Sequence, residues 1–228
     1  MKKSGLALAV ALILAAGTGS AGTTKYKVAV WGGFGTASGG VLNDMLDFFD
    51  TAGWDVTKVS TAIPFGIEGT YEVIDNLAVG LRLGLIMANQ GKASIDAPPL
   101  ASMDMKYTAS AVPVMVGGRY SVPIDGKLSV SGGLFAGIAS VNLKSEMEST
   151  ILGFSTEKSS SDGATGVAAE VLLGATYKLA ANWALGLDVG YRLVSVKAEA
   201  ADLINNTVKE DTVDLNGVSG LLSVAYLF

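Results

Sequence analysis

Large apolar residues alternate with small or polar residues along most of the chain. In Leu77–Met87 the odd positions are all large and apolar, whereas the even positions are Ala, Gly, Arg, Gly and Ile. Trp183–Leu193 repeats this pattern, with Asp and Arg among the residues of its smaller face. A period of two is typical of β-strands whose two faces meet different surroundings. The pattern therefore predicts strands with one bulky apolar face and one small or polar face.

Eight segments alternate in this way, and each can supply the ~9–11 residues of a tilted strand that crosses a bilayer. They are Tyr26–Gly35, Ala62–Tyr71, Leu77–Met87, Thr108–Tyr120, Lys127–Val141, Thr165–Tyr177, Trp183–Val196 and Val213–Phe228. The connections alternate between short turns, at Glu72–Asn76, Ser121–Gly126 and Lys178–Asn182, and long loops, at Thr36–Thr61, Ala88–Tyr107, Asn142–Ala164 and Lys197–Thr212. The sequence predicts an all-β fold, an eight-stranded antiparallel up-and-down transmembrane β-barrel with its turns at one end and its loops at the other.

Aromatic residues recur near the short turns, on the bulky face of the predicted strands. Such rings are typical of the interface between hydrocarbon and water around a membrane barrel. The predicted aromatic girdle consists of Tyr26, Tyr71, Tyr120, Tyr177, Trp183, Tyr226 and Phe228.

Residues 1–21 have the layout of a cleaved secretory signal peptide. Lys2 and Lys3 precede the apolar run Leu6–Ala16, and small residues follow at Gly19–Ala21. The apolar run is too short for a spanning helix, which needs ~20 residues. We therefore predict an exported chain in which residues 22–228 form a single barrel domain.

The segment Val218–Phe228 alternates and finishes with Phe. It resembles the C-terminal strand of bacterial outer-membrane proteins. Together with the signal peptide and the eight segments, it makes the whole mature chain similar to the small eight-stranded barrels of the OmpA/OmpX/OmpW type. This resemblance implies the outer membrane of a diderm bacterium as location and its lipid as partner. It also implies that the barrel-assembly machinery reads the terminal strand.

Charged residues occur on the small face of the predicted strands, which would point into the lumen. Three acids balance three arginines there, as buried charge requires. If Tyr71 opposes Leu77 and Tyr177 opposes Trp183, Glu68 and Arg82 become diagonal neighbours, and so do Glu170 and Arg192. The predicted lumen network, either a static plug or a polar gate, comprises Glu68, Arg82, Arg119, Glu170, Asp188 and Arg192.

Composition excludes several kinds of function. The 228 residues contain no Cys and no His, and the net charge is −5. The charge argues against nucleic acid as a partner, because phosphate binding needs clustered Lys and Arg. Barrel enzymes that resemble this class in fold rely on a catalytic His, so we predict no enzymatic activity, no cofactor and no metal site.

Residues 36–61, 88–107, 142–165 and 197–214, which contain the long loops, are acidic and hold 15 of the 21 acids but only seven Lys. In the first loop, Leu42, Met45, Leu46 and Phe49 recur at helical spacing, which fits either an amphipathic helix at the interface or a loop packing its own apolar residues.

Two function classes remain open for a membrane barrel. One is a structural or surface-interaction barrel of the cell envelope, with an extracellular partner that the sequence does not identify. The other is a narrow porin-like channel or lateral exit for a small hydrophobic solute, which resemblance to the OmpW group implies. A third alternative is a soluble lipocalin-like barrel with its bulky apolar face inside.

Overall fold

The computed structural model describes residues 26–97, 101–151, 154–202 and 207–228. The predicted signal peptide and the first residues of the mature chain lie outside these ranges. In chain order the elements are β1 (Tyr26–Thr36), α1 (Val41–Thr51), β2 (Asp55–Thr57), β3 (Thr61–Ile74), β4 (Leu77–Ala88), β5 (Gly91–Ala97), β6 (Ala101–Pro123), β7 (Leu128–Ile151), β8 (Phe154–Lys178), β9 (Trp183–Asp202), β10 (Thr207–Asp214) and β11 (Gly217–Leu227).

Eight of these strands close into a ring. In chain order they are β1, β3, β4, β6, β7, β8, β9 and β11, and each pairs antiparallel with the next. β1 pairs with β11, from Lys27 opposite Leu227 to Gly35 opposite Ser219, which closes the barrel. The predicted fold class is confirmed. We call the end that carries residues 75–76, 124–127 and 179–182 the turn end, and the opposite end the loop end.

The bulky apolar face of the strands lies outside the barrel. Leu81, Leu187 and Leu222 are about half exposed or more, whereas the neighbouring Arg82, Asp188 and Leu221 are buried. A soluble ligand-binding barrel would place the bulky face inside, so the lipocalin-like alternative is wrong. The outward face forms a continuous apolar belt around the ring.

Three of the predicted long loops are largely extended strand. β6 begins at Ala101, β7 continues to Ile151, and β8 begins at Phe154, so these strands extend well beyond the ring. β2, β5, β6, β7 and β8 form one projecting sheet, while β9 and β10 form a second. In Ser155–Asp162 of β8 the apolar alternation disappears, because polar residues occupy both faces there.

The last predicted strand, Val213–Phe228, is broken into β10 and β11. Both pair with β9 in one continuous register, from Val213 opposite Val196 to Gly217 opposite Arg192. At the break, Leu215 N–H donates to Val194 O, and Val194 N–H donates to the Asn216 side chain. The side-chain hydrogen bond therefore bridges the interruption.

The first loop contains a helix, α1, which packs onto the loop end of the barrel. Leu42, Leu46 and Phe49 on one side of α1 are buried, and Met45 packs against the same cluster. The helical spacing is thus confirmed. The hypothesis that α1 lies at the membrane interface is not supported, because its apolar side packs into the protein. No helix in the described ranges is long and apolar enough to cross a membrane.

Candidate functional site

The six charged residues predicted for the lumen are all buried inside the barrel. They come from β3, β4, β6, β8 and β9, so the ring brings together residues that are far apart in sequence. Their inward orientation follows directly from the period of two, because successive side chains of a strand point to opposite faces.

Arg82 lies at the centre of the network. Its Nη1 donates to Glu68 Oε2 at 2.6 Å, and its Nε donates to Glu170 Oε2 at 2.7 Å. The guanidinium also lies over the Trp31 ring, 3.9 Å from the ring centroid. Charge-assisted hydrogen bonds of this length are among the strongest in proteins. Arg82 therefore joins two opposite walls of the barrel.

Arg119 makes the second set of contacts, nearer the turn end. Its Nη1 donates to Asp188 Oδ1 at 2.7 Å and to Ser131 Oγ at 3.1 Å, while Nη2 donates to Glu68 Oε2 at 3.3 Å. Glu68 thus connects Arg82 with Arg119. The network spans the lumen without interruption from Glu170 to Asp188.

Lys27 belongs to this network and was not among the predicted residues. Its Nζ lies 3.4 Å from Glu68 Oε1. The signal was present, because Lys27 follows the outward-facing Tyr26 and therefore has inward parity. Its position at a strand start led us to group it with the surface lysines.

Two details of the predicted pairing are wrong. Glu68 lies directly opposite Arg82, and Glu170 directly opposite Arg192, because each hairpin register differs by two residues from the assumed one. The ladder of the first hairpin also contains a register shift of one residue between Glu72 and Ile74.

The second error concerns Arg192, which makes no direct ion pair with Glu170. Among the described residues, Arg192 donates to the backbone oxygens of Leu215 and Thr36, each at 3.2 Å. Glu170 binds Arg82 instead, because the ring curvature brings β4 and β8 together across the lumen.

The lumen differs on the two sides of the network. At the turn end, a cavity of about 360 Å³ is lined by the charged Lys27 and Arg119, by Thr70 and Thr176, and by turn residues. Toward the loop end, a buried apolar cluster fills the lumen and continues to α1. We call this group the apolar chamber: Leu46, Ile86, Met105, Met115, Phe135, Val141, Met147 and Val194.

Two prolines interrupt the barrel wall beside the apolar chamber. The β1–β3 ladder passes from Gly32 opposite Phe65 to Gly35 opposite Ala62, so Pro64 makes no ladder pair with β1. The β4–β6 ladder likewise passes from Leu83 opposite Val114 to Ile86 opposite Ala111, which omits Pro113. Proline has no N–H to donate. The β3–β4 hairpin is therefore held by an interrupted ladder on each side.

The aromatic residues predicted for the girdle lie near the turn end. Tyr71, Tyr120, Tyr177 and Trp183 are exposed on the outer surface. Tyr26 stacks near Tyr71 with a centroid distance of 4.8 Å, and Tyr226 contacts Trp183 and Phe228 at 5.1 Å and 4.7 Å. These contacts link the rings of neighbouring strands.

The exposed groups outside the wall include two whose pKa values are shifted by hydrogen bonds. The N–H groups of Leu128 and Lys127 donate to Asp125 Oδ1 and lower the pKa of that carboxyl. A hydrogen bond from Lys58 to Asp47 raises the pKa of the lysine. Within the described ranges, no cluster of acidic side chains suits a metal ion.

The chain is similar to known proteins at the level of a family model and of solved structures. Among curated proteins, none matches the chain significantly. Solved structures of similar fold include Neisserial surface protein A, with 13% identity and a TM-score of 0.44 over 91% of this chain and 100% of that one. Another is OprG from Pseudomonas aeruginosa, with 20% identity and a TM-score of 0.45 over 91% of this chain and 98% of that one. The outer membrane protease OmpT from Escherichia coli is also similar, with 9% identity and a TM-score of 0.44 over 93% of this chain and 99% of that one. The model of the outer membrane protein beta-barrel domain matches residues 6–219, and the chain belongs to this outer-membrane β-barrel family.

Proposed function

We propose that this barrel admits small apolar molecules at its loop end and releases them sideways into the outer membrane. The observation that carries the proposal is the position of the two proline interruptions, which flank the apolar chamber. Pro64 of β3 lies opposite Ile86 of β4, and the β4–β6 register places Pro113 of β6 across from Gly84 of β4. The inner side of the weakened wall is thus apolar.

The ion network supports a sideways exit over an aqueous pore. Arg82, Glu68 and Glu170 are almost fully buried and bridge the lumen below the chamber. Moving a solute past them would require breaking buried ion pairs, which is costly. A hydrophobic solute would also have to pass the charged side chains of Lys27 and Arg119, which line the cavity at the turn end. The network therefore acts as the floor of the chamber, and the proposal assigns it no catalytic step.

The residues of the chamber suit an adaptable binding site. Met105, Met115 and Met147 are buried there, and Met45 of α1 packs against the same cluster. Methionine side chains are unbranched and polarizable, so they accommodate ligands of different shape. Trp31 Nε1 is buried without a hydrogen-bond partner among the described residues and can donate to one oxygen of an otherwise apolar molecule.

The experiment measures entry of an uncharged apolar dye, N-phenylnaphthylamine, into liposomes that contain the barrel. We expect the barrel to accelerate dye entry while ion conductance in planar bilayers stays at the protein-free level. The variant Pro64→Ala/Pro113→Ala, which restores two N–H donors, should slow entry several-fold. The control Pro123→Ala changes a proline at the end of β6 and should leave the rate unchanged. Equal rates for the double variant and the wild type, or a stable ion conductance, would refute the proposal.

The projecting sheets favour a second candidate function, a surface-interaction barrel. The β7–β8 hairpin extends beyond the ring, and residues 154–163 of β8 are exposed over nearly their whole length. Among the described residues, β8 pairs with β9 only from Val167 onward, so no described strand covers the other backbone edge of its outer part. Replacing residues 142–164 with a four-residue turn should leave the barrel folded. If adhesion of barrel-expressing cells to host matrix is unchanged by this replacement, this candidate fails.

A further inference from the structure

The lumen carries one more positive than negative charge among the described residues. Three arginines and Lys27 face only the three acids of the network there, and buried charge is costly unless it is paired. The two acids at the rim of the turn-end cavity, Glu72 and Asp125, accept hydrogen bonds from backbone N–H groups of their own turns. Lys127 and Lys178 match them in number at the same rim. The rim therefore leaves the excess charge of the lumen uncompensated.

The excess charge lies at the inner end of the turn-end cavity. Lys27 and Arg119 both line the cavity and both reach Glu68, Lys27 through Nζ at 3.4 Å and Arg119 through Nη2 at 3.3 Å. Arg119 is almost fully buried, yet its Nε has no hydrogen-bond partner among the described residues. The Lys27 side chain is 23% exposed and forms no second ion pair within the same ranges. Two cationic groups beside the cavity therefore retain unused donors.

Small residues on the inner face of the wall create the cavity. Ala78 lies directly opposite Arg119, and Thr70 lies directly opposite Lys27. Such short side chains leave the lumen open, whereas methionine and phenylalanine side chains fill it in the apolar chamber. The volume of about 360 Å³ lies near the lower end of the range for small-molecule sites. The lining also includes leucine side chains from β7 and β11, so an apolar group has a surface to contact beside the cations.

We propose that the turn-end cavity binds a small organic monocarboxylate. The carboxylate group supplies the single missing negative charge and accepts hydrogen bonds from Lys27 and Arg119, whose charged donors suit this acceptor. The apolar part of the molecule lies against the leucine side chains of the lining. Short turns face the periplasm in outer-membrane barrels, so the ligand enters from that side. The proposal does not depend on the sideways exit, because it concerns the opposite end of the lumen.

The test is a calorimetric titration of the full barrel with benzoate in an uncharged detergent. Benzamide has nearly the same shape and no charge, so comparing the two ligands isolates the contribution of the carboxylate. A hydrogen bond to a charged group contributes about 10- to 100-fold in affinity. We therefore expect one saturable benzoate site per barrel, and binding of benzamide weaker by about tenfold or more.

Variants of Lys27 test its part in the site. Lys27→Met should weaken benzoate binding by about tenfold or more, whereas Lys27→Arg should keep the affinity within about threefold of the wild type. Lys27→Met also leaves three acids and three arginines in the lumen. Without ligand it should therefore unfold no more easily than the wild type, and added benzoate should stabilise only the wild type. Lys92→Met is the matched control, because Lys92 is exposed on β5 in the projecting sheet at the loop end, and affinity should change less than about twofold.

Four results would overturn the proposal. Equal affinity for benzoate and benzamide would show that the barrel does not recognise the charge. Full competition by chloride or inorganic phosphate at the same concentration would show that any anion suffices. Unchanged benzoate affinity of Lys27→Met, shown to be folded by its heat-modifiable migration, would place the ligand elsewhere. A marked loss of stability of that variant without ligand would show that Lys27 is a required ion-pair partner and not an excess charge.

Discussion

Replacing Arg82 with Met should strongly destabilise the barrel. The Arg82 guanidinium binds Glu68 at 2.6 Å and Glu170 at 2.7 Å, and all three side chains are at most 3% exposed. Glu68 retains Arg119 and Lys27 after the change, but Glu170 loses its ion-pair partner. Removing one member of a buried pair typically costs ~3–5 kcal/mol, because a charge is left uncompensated. We expect a loss of that size in the free energy of unfolding.

A double-mutant cycle separates the ion pair from general effects on packing. Glu170→Gln removes the acid's charge, so the variant Arg82→Met/Glu170→Gln contains no lone carboxylate at this position. The double variant should be more stable than the sum of the single changes predicts, by ~1–3 kcal/mol. Denaturant unfolding in detergent, followed by Trp fluorescence, measures all four proteins. Trp31 is a suitable reporter because its ring lies 3.9 Å from the guanidinium.

The matched control is the exposed pair Lys144–Glu146 on β7. An exposed pair contributes at most ~1 kcal/mol, so its cycle should show a small coupling energy. If the effects of changing Arg82 and Glu170 add within about 0.5 kcal/mol, the two groups are not coupled and the lumen charges are merely hydrated.

Three further changes test other parts of the structure. In the same unfolding assay, Gly66→Ala should destabilise the barrel by ~1–3 kcal/mol, because a Cβ there would lie 2.0 Å from Leu83 O. Gly220→Ala is the control and should be nearly neutral, because its Cβ would meet no atom within 4 Å. Asn76 has a positive φ of 69° in the β3–β4 turn, so Asn76→Gly should preserve stability and Asn76→Ala should lower it by ~1–2 kcal/mol in thermal unfolding. The pKa of the Asp125 carboxyl is lowered in the folded protein, so the ionised carboxylate stabilises its turn at pH values above the carboxyl's unfolded pKa, and this contribution is lost as the pH falls through the folded pKa. Amide exchange at Lys127 and Leu128 should accelerate over that pH range. Unchanged exchange would contradict the assignment.

The sequence predicted the orientation of the lumen residues better than their partners. Orientation depends only on the period of two, so Arg119 and Asp188 could be placed inside the barrel from their strands alone. Partners depend on register and on the curvature of the closed ring. Both hairpin registers differ by two residues from the assumed ones, and the contact between Arg82 and Glu170 joins strands that are not neighbours in the wall.

The projecting sheets show a different limit of pattern analysis. In Lys144–Thr150 the only large apolar residue is Met147, and in Ser155–Asp162 polar residues occupy both faces. The outer part of β8 is exposed on both faces, so there is no apolar period to detect. In contrast, α1 was recognisable because one side of it is buried, which preserves the helical spacing of Leu42, Leu46 and Phe49.

The closure of the ring between β1 and β11 affects how the chain folds. Lys27 pairs with Leu227, so the contact that completes the wall joins residues separated by nearly the whole described chain. Contacts of such long range are typical of slow folding, because the entropy of closing the intervening chain is lost before the contact forms. Until β11 docks, β1 presents an open edge with unpaired N–H and C=O groups, which favours aggregation. We therefore expect the last step of folding to be both rate-limiting and the step most prone to misassembly.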